Sequence, residues 1–308
     1  MEVLNTQEAI ILLYHGVTSE NYCGIENYSG KHIHKDVFKQ QISVLSKACN
    51  PVSLRTLVNA LKEELPLPSK TVAVTFDDCF ENVYINACPI LEKYNVPATM
   101  FITTGFVNTK RIIWADMLEV AIANTLEEVI VFDFLKFSKK YYIISSVEKI
   151  KVINEIKSIL KSVDENTRDK IMESFTEGFE FRDEIVETDL YRNLTWDQLR
   201  EIDRCSLFEI GPHTINHRVL SFLDIKEAER EIVGSKNILE RELGHNIDLF
   251  SYPEGQREHY NENIISILKE NGFISSPSAI YGSNKPGDSP FHLKRVMVGF
   301  NGIPFPYS

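Results

Sequence analysis

The chain opens on a wholly apolar run, residues 10–14, and a second, nearly apolar one lies at residues 72–76; both stop abruptly at polar residues. Short runs without alternation are the mark of strands buried on both faces, as in a parallel sheet. Between and after them the period changes. Val37, Phe38, Ile42 and Leu45 keep helical spacing, and residues 83–91 predict a helix that Asn95, Val96 and Pro97 break. Residues 98–103 then predict the next strand. Strands alternating with helices imply parallel βα units, and their number suits a closed barrel better than a small open sheet.

From about Trp114 to Tyr191 the chain becomes rich in Lys, Glu and Ile, and Val147, Ile150, Ile153, Ile156, Leu160 and Val163 recur at helical spacing. This predicts a helical insertion over residues 115–191. The alternation resumes with Thr195-Trp196-Asp197-Gln198, a capping-box pattern that opens a helix. A strand at 207–210 follows, then a helix from about Asp224 to Leu243, and further strands at 249–252, 273–275 and 293–298. The fold class expected is therefore α/β, one domain over residues 1–308 interrupted by a helical insert.

Composition narrows the class. Hydrophobic residues make up 43% and charged residues 25%, the balance of a soluble globular chain. A net charge of −11 would repel phosphate, which weighs against nucleic acid or an anionic membrane surface as partner. The five cysteines (Cys23, Cys49, Cys79, Cys88 and Cys205) are odd in number and lack C-x-x-C spacing, so they read as free thiols. The first apolar run has no basic flank and is too short for a signal core or a membrane span, so a cytoplasmic location is expected.

Two pairs of residues carry candidate chemistry. Asp77 and Asp78 follow the apolar strand at 72–76, where a barrel keeps its reacting groups. Neighbouring carboxylates resist ionising together unless a cation divides their roles, one as ligand and one as base; a strand-end turn with a helix cap is the plainer alternative. His213 and His217 follow the strand at 207–210, and a four-residue spacing lets both imidazoles meet one ion if the segment is helical. Two imidazoles and one carboxylate would leave positions open, as at a catalytic zinc.

Thr75-Phe76-Asp77-Asp78 followed by His213-Thr214-Ile215-Asn216-His217 closely resembles the polysaccharide deacetylase family, also called the NodB-homology or carbohydrate esterase family 4 group. Leu13-Tyr14-His15-Gly16-Val17, Pro97-Ala98-Thr99-Met100-Phe101 and Phe250-Ser251-Tyr252-Pro253-Glu254-Gly255 match it in order, and the resemblance spans about residues 10–114 and 193–300. It implies a distorted (β/α)7-type barrel and removal of an N-acetyl group from an amino sugar. Asp78, His213 and His217 would hold a divalent metal, most simply Zn2+ with Co2+ or Ni2+ as alternatives, and Asp77 would be the base. The oxyanion would meet the backbone N–H of Tyr252 beside Pro253. His15 would be the general acid, as in the branch with the Tyr-His motif, rather than the late His292.

The chain departs from the family pattern at Cys79, where many relatives have glycine, and at Ser251, where many have an arginine that orients the catalytic aspartate. Arg295 on the last strand is the available substitute, with an ordinary surface ion pair as its alternative. Tyr252 equally suits a packed aromatic, and His32, His34, His245 and His259 read as solvated. Hydrolysis of O-acetyl esters or of another non-peptide amide, and a catalytically inactive sugar-binding relative, are the competing functions. The insert is either a cap over the groove or an oligomer contact.

Overall fold

A computed structural model describes residues 8–22, 24–78, 80–134, 137–177, 188–300 and 304–307. Cys23 and Cys79 lie outside them, and Cys49, Cys88 and Cys205 are free thiols.

Strand β1 (Ala9–Tyr14) is buried at every position, as its unbroken apolar run requires. Short strands β2 (Gly16–Thr18) and β3 (His32–His34) pair in parallel beside it. Helix α1 (Lys35–Ala48), the two-residue β4 (Asn50–Pro51) and α2 (Leu54–Lys62) lead to β5 (Thr71–Phe76), which is also buried throughout. The helix expected at 83–91 begins as a π-helical turn (Val83–Ala87), then continues as α3 (Cys88–Tyr94). Asn95 ends it in the left-handed conformation, and β6 (Ala98–Ile102) follows.

After the insert come α7 (Trp196–Arg204), opened by the expected Thr195/Gln198 capping box, and β9 (Phe208–Pro212). Helix α8 (Ile225–Leu243), capped by Asp224, α9 (Glu262–Glu270), β10 (Pro277–Tyr281) and β11 (Leu293–Met297) complete the chain.

The strands lie in the order β10, β11, β1, β5, β6, β9, every pair parallel. Residues 248–251 then close the ring. Ser251 N–H donates to Pro212 O at 3.2 Å, Phe250 N–H to Ser275 O at 3.1 Å, and Ile274 N–H to Asp248 O at 2.8 Å. Residues 249–252 and 273–275, expected as strands, pair there only by a single bridge, Leu249 with Ser275. Pro253, which has no N–H to donate, cuts the first of them short. Close approach at this seam depends on Gly211: a Cβ there would fall 2.5 Å from Leu249 O. The result is a distorted seven-membered α/β barrel, and its strand C-termini collect His15, Asp77, Asp78 and His213 on one face.

The insert is not purely helical. Helix α4 (Trp114–Asn124) is followed by an antiparallel hairpin, β7 (Val129–Phe134) and β8 (Phe137–Tyr142), then α5 (Ser146–Lys161) and α6 (Glu165–Thr176). Ile130 and Phe132 point inward while Val131 is exposed, a period of two that the overall Lys/Glu/Ile composition conceals. The insert has its own core, in which Leu118, Ile122, Phe132, Ile153, Ile156 and Leu160 meet. Among the described residues no helix is long and apolar enough to cross a membrane.

Candidate metal centre and active site

Asp77 and Asp78 leave β5 at a sharp corner. Asp77 N–H donates to Tyr14 O at 3.0 Å, and Asp78 sits at φ 75°, a left-handed conformation that costs about 1–3 kcal/mol outside glycine. The strain turns the two adjacent carboxylates to different partners. Asp78 Oδ1 lies 3.3 Å from His217 Nε2 and 3.9 Å from His213 Nε2. The ligand atoms of Asp78, His213 and His217 all fall within 4.8 Å of one another, and all three residues are buried.

Four-residue spacing would bring both imidazoles to one ion if residues 213–217 were helical, but the segment is a loop with Thr214 at φ 65° and His217 at φ 56°. Glu231 on α8 holds it: its carboxylate accepts the N–H groups of Ile215 and Asn216 at 2.9 and 2.8 Å, and the Asn216 side chain at 2.7 Å. The loop's carbonyls bind on the other side, where Thr104 N–H and Gly105 N–H donate to Thr214 O and Ile215 O. His213 Nδ1 is 2.9 Å from Ser251 O. A carbonyl only accepts, so Nδ1 carries the proton and the lone pair of Nε2 faces the cluster.

Asp77 is gripped from behind. Arg295 Nη1 and Nη2 donate to its two oxygens at 2.8 and 2.7 Å, Nη2 also reaches Ser251 Oγ at 3.0 Å, and Nε donates to Ser278 O at 2.6 Å. The guanidinium is fully buried, so this is a forked internal pair and not a surface one. Arg295 therefore stands behind Asp77 and does not line the cavity as a substrate contact. Burial by itself would raise the pKa of Asp77, and Arg295 with His213 holds it below the ordinary value. For Asp78 burial is likewise outweighed, by Lys31 and His217, and its carboxyl stays well below the usual range. Burial pushes His213 down to about 4. An ionised carboxylate and a neutral imidazole with its lone pair aimed at a common point suit a divalent cation.

These groups floor a cavity of about 600 Å³. His15 lines it as well, its ring edge-on to Phe300 and its Nδ1 without a hydrogen-bond partner among the described residues. Burial lowers the pKa of His15. Tyr252 turns its side chain into the core, stacked on Tyr260 at 4.0 Å with its hydroxyl on Phe291 O, which leaves only its backbone for the site; Pro253 beside it is buried. His292 is not among the cavity-lining residues. His32 is not solvated: it is buried in β3 against Asn82 and Phe80, and His259 is buried too, whereas His34 caps α1 and His245 pairs with Asp203 at the surface. The insert contributes Asp116, Glu119, Asn154, Lys157 and Lys161 to the cavity lining.

A sequence model of the family described as polysaccharide deacetylase matches residues 64–275, well over half of the chain. The chain belongs to the polysaccharide deacetylase family. A curated relative named poly-beta-1,6-N-acetyl-D-glucosamine N-deacetylase, from Staphylococcus aureus strain MSSA476, is 34% identical over 123 residues, 36% of this chain and 41% of that protein. One of the same name from Staphylococcus epidermidis is 27% identical over 137 residues, 44% of this chain and 46% of that protein. The chain thus spans less than half the length of the curated relatives it matches. Among solved structures, IcaB from Ammonifex degensii superposes with a TM-score of 0.60 at 20% identity, covering 95% of this chain and 92% of that one. Streptococcus pyogenes deacetylase PplD, in complex with acetate, gives 0.59 at 19% identity, covering 96% and 95%. The two share the fold.

In this deacetylase-family chain two further groups meet the site, Lys31 and Glu119. Burial, with the negative charge of Asp116 beside it, pushes the Glu119 carboxyl up to about 7. Its folded pKa is raised, so its contribution to stability is fully present below about 4.5 and is lost as pH climbs to about 7. The shift corresponds to something on the order of 3 kcal/mol. Glu119→Gln removes this pH dependence. Urea unfolding at pH 4.5 and pH 8 should show the variant gaining on the parent at the higher pH, and parallel curves would contradict the assignment.

Proposed function

We propose that the chain is a metal-dependent deacetylase that hydrolyses the N-acetyl group of an amino sugar within a glycan. One observation carries this reading: the ligand atoms of Asp78, His213 and His217 converge within 4.8 Å on the floor of a cavity that Asp77 and His15 also face. The curated relatives are named for a polymer of N-acetyl-D-glucosamine, which supports an N-acetylated glucosamine polymer as the substrate class.

Asp78, His213 and His217 would hold the ion, and two imidazoles with one carboxylate favour Zn2+, with Co2+ and Ni2+ also suited. The chemistry such an ion supplies when bound is Lewis acidity, which polarises an acetyl carbonyl and lowers the pKa of water toward about 7. Asp77 stays ionised at neutral pH because Arg295 holds it, so it is free to accept a proton from the attacking water. The forked pairing also fixes which way that carboxylate faces. On this reading the backbone N–H of Tyr252 donates to the oxyanion. His15 donates to the departing amine, and with its pKa lowered by enclosure the protonated ring is a stronger acid than free histidine. The insert, which contributes to the cavity lining, serves as the specificity cap.

Acetate release from β-1,6-linked N-acetylglucosamine oligomers and a panel of other N-acetylated sugars tests this. Treatment with a chelator should abolish release and added Zn2+ or Co2+ should restore it. Protein that retains no ion and frees no acetate from any sugar on the panel would rule the reading out.

A further inference from the structure

Lys31 lies between the barrel and the insert. Its ammonium is 3.0 Å from Asp78 Oδ2 and 3.0 Å from Asp116 Oδ2, and it sits 4.6 Å over the Phe80 ring. The loop that delivers it is tied down. Asn27 binds the backbone of His32 in both directions, donating to its carbonyl at 2.7 Å and accepting its N–H at 2.9 Å, and β3 then pairs with β2. Asp116 belongs to the first turn of α4, so the second anchor comes from the insert.

The two oxygens of Asp78 thus face different partners: Oδ2 faces the Lys31 ammonium, while Oδ1 faces the imidazoles of His213 and His217. We propose that Lys31 is a positioning residue of the metal centre, occupying Oδ2 so that Oδ1 alone is offered to the cation, and weakening that carboxylate as a donor. This rests on the metal-centre reading given under Proposed function. A carboxylate free at both oxygens can wrap a cation and take a position that catalysis keeps open. A carboxylate whose charge is shared with an ammonium leaves the cation more electrophilic, at some loss of affinity. Asp116 divides the ammonium's pull between two carboxylates, so the insert sets how strongly Asp78 is engaged.

The test is the zinc dissociation constant, measured by competition with a chelating indicator dye on the full chain, alongside kcat for acetate release. Lys31→Met and Lys31→Gln each remove the charge, and Lys31→Gln keeps a hydrogen-bond donor should the methionine variant fail to fold. Both should bind zinc about tenfold or more tighter than the parent, because a like charge has left the neighbourhood of the cation. Their kcat should fall while KM changes less, and Lys31→Arg should stay near the parent in affinity. Asp116→Asn should act in the opposite direction and weaken zinc binding. If Lys31 only packs the site together, the neutral variants bind zinc more weakly or equally, and either result overturns the proposal. A parent protein that binds no zinc overturns the metal-centre reading itself, a distinct outcome.

Discussion

Asp77→Asn should lower kcat for acetate release by about 10²–10⁴-fold, the usual contribution of a general base, while zinc still binds. Asp77 is not one of the three converging groups, and its nearer oxygen stands 3.9 Å from His213 Nε2. The substitution also has a structural consequence. It leaves the Arg295 guanidinium buried beside a neutral amide, and breaking a buried pair from one side costs about 3–5 kcal/mol. Lost fold would also abolish activity, so the informative comparison is the double variant Asp77→Asn with Arg295→Gln. Removing both charges should recover much of the urea stability and none of the turnover. Full activity in Asp77→Asn sinks the base assignment, and loss of zinc would instead make Asp77 a ligand.

The barrel was readable in the chain because β1 and β5 are buried on both faces, and total burial leaves an apolar run with no alternation to confuse. The seam segments 249–252 and 273–275 read as strands, since local pattern does not register that Pro253 and the tight approach at Gly211 reduce pairing to one bridge. Within the site, the residue types at 77, 78, 213 and 217 were legible and the local conformation was not. Nothing in the four-residue spacing announces that Thr214 and His217 turn left-handed or that Glu231, on a helix of its own, holds the loop.

Arg295 had left a signal. It shares the inward face of β11 with Leu293 by the period of two, and an arginine on a core face needs an internal anion. Asp116 and Glu119 carried one as well: they lie three residues apart on a helix otherwise filled by Leu118, Val120, Ala121 and Ile122, where acidic residues must find partners. Lys31 had none. It is a lone lysine in a polar stretch, and only the tertiary fold brings it to Asp78.

His15→Ala should separate two reactions that the rest of the site serves equally. Asp77, the ligand cluster and an oxyanion donor suit an N-acetyl amide or an O-acetyl ester, because attack on the acetyl carbonyl is the same in both. The leaving group differs. An amine departs only once it has been protonated, whereas an alkoxide leaves with far less help, so removing the acid should weigh on amide cleavage most. Neither of two other histidines stands in for it, since His292 does not line the cavity and His32 is held by Asn82 with its pKa lowered to about 3 by burial. The expected result is a loss of about 10²–10⁴-fold in kcat/KM on an N-acetylated oligosaccharide, against about tenfold or less on an O-acetylated counterpart, with zinc affinity unchanged. Equal losses on both substrates would show that His15 serves attack instead of departure. No loss on the amide would remove it from the mechanism and return it to a packing role against Phe300.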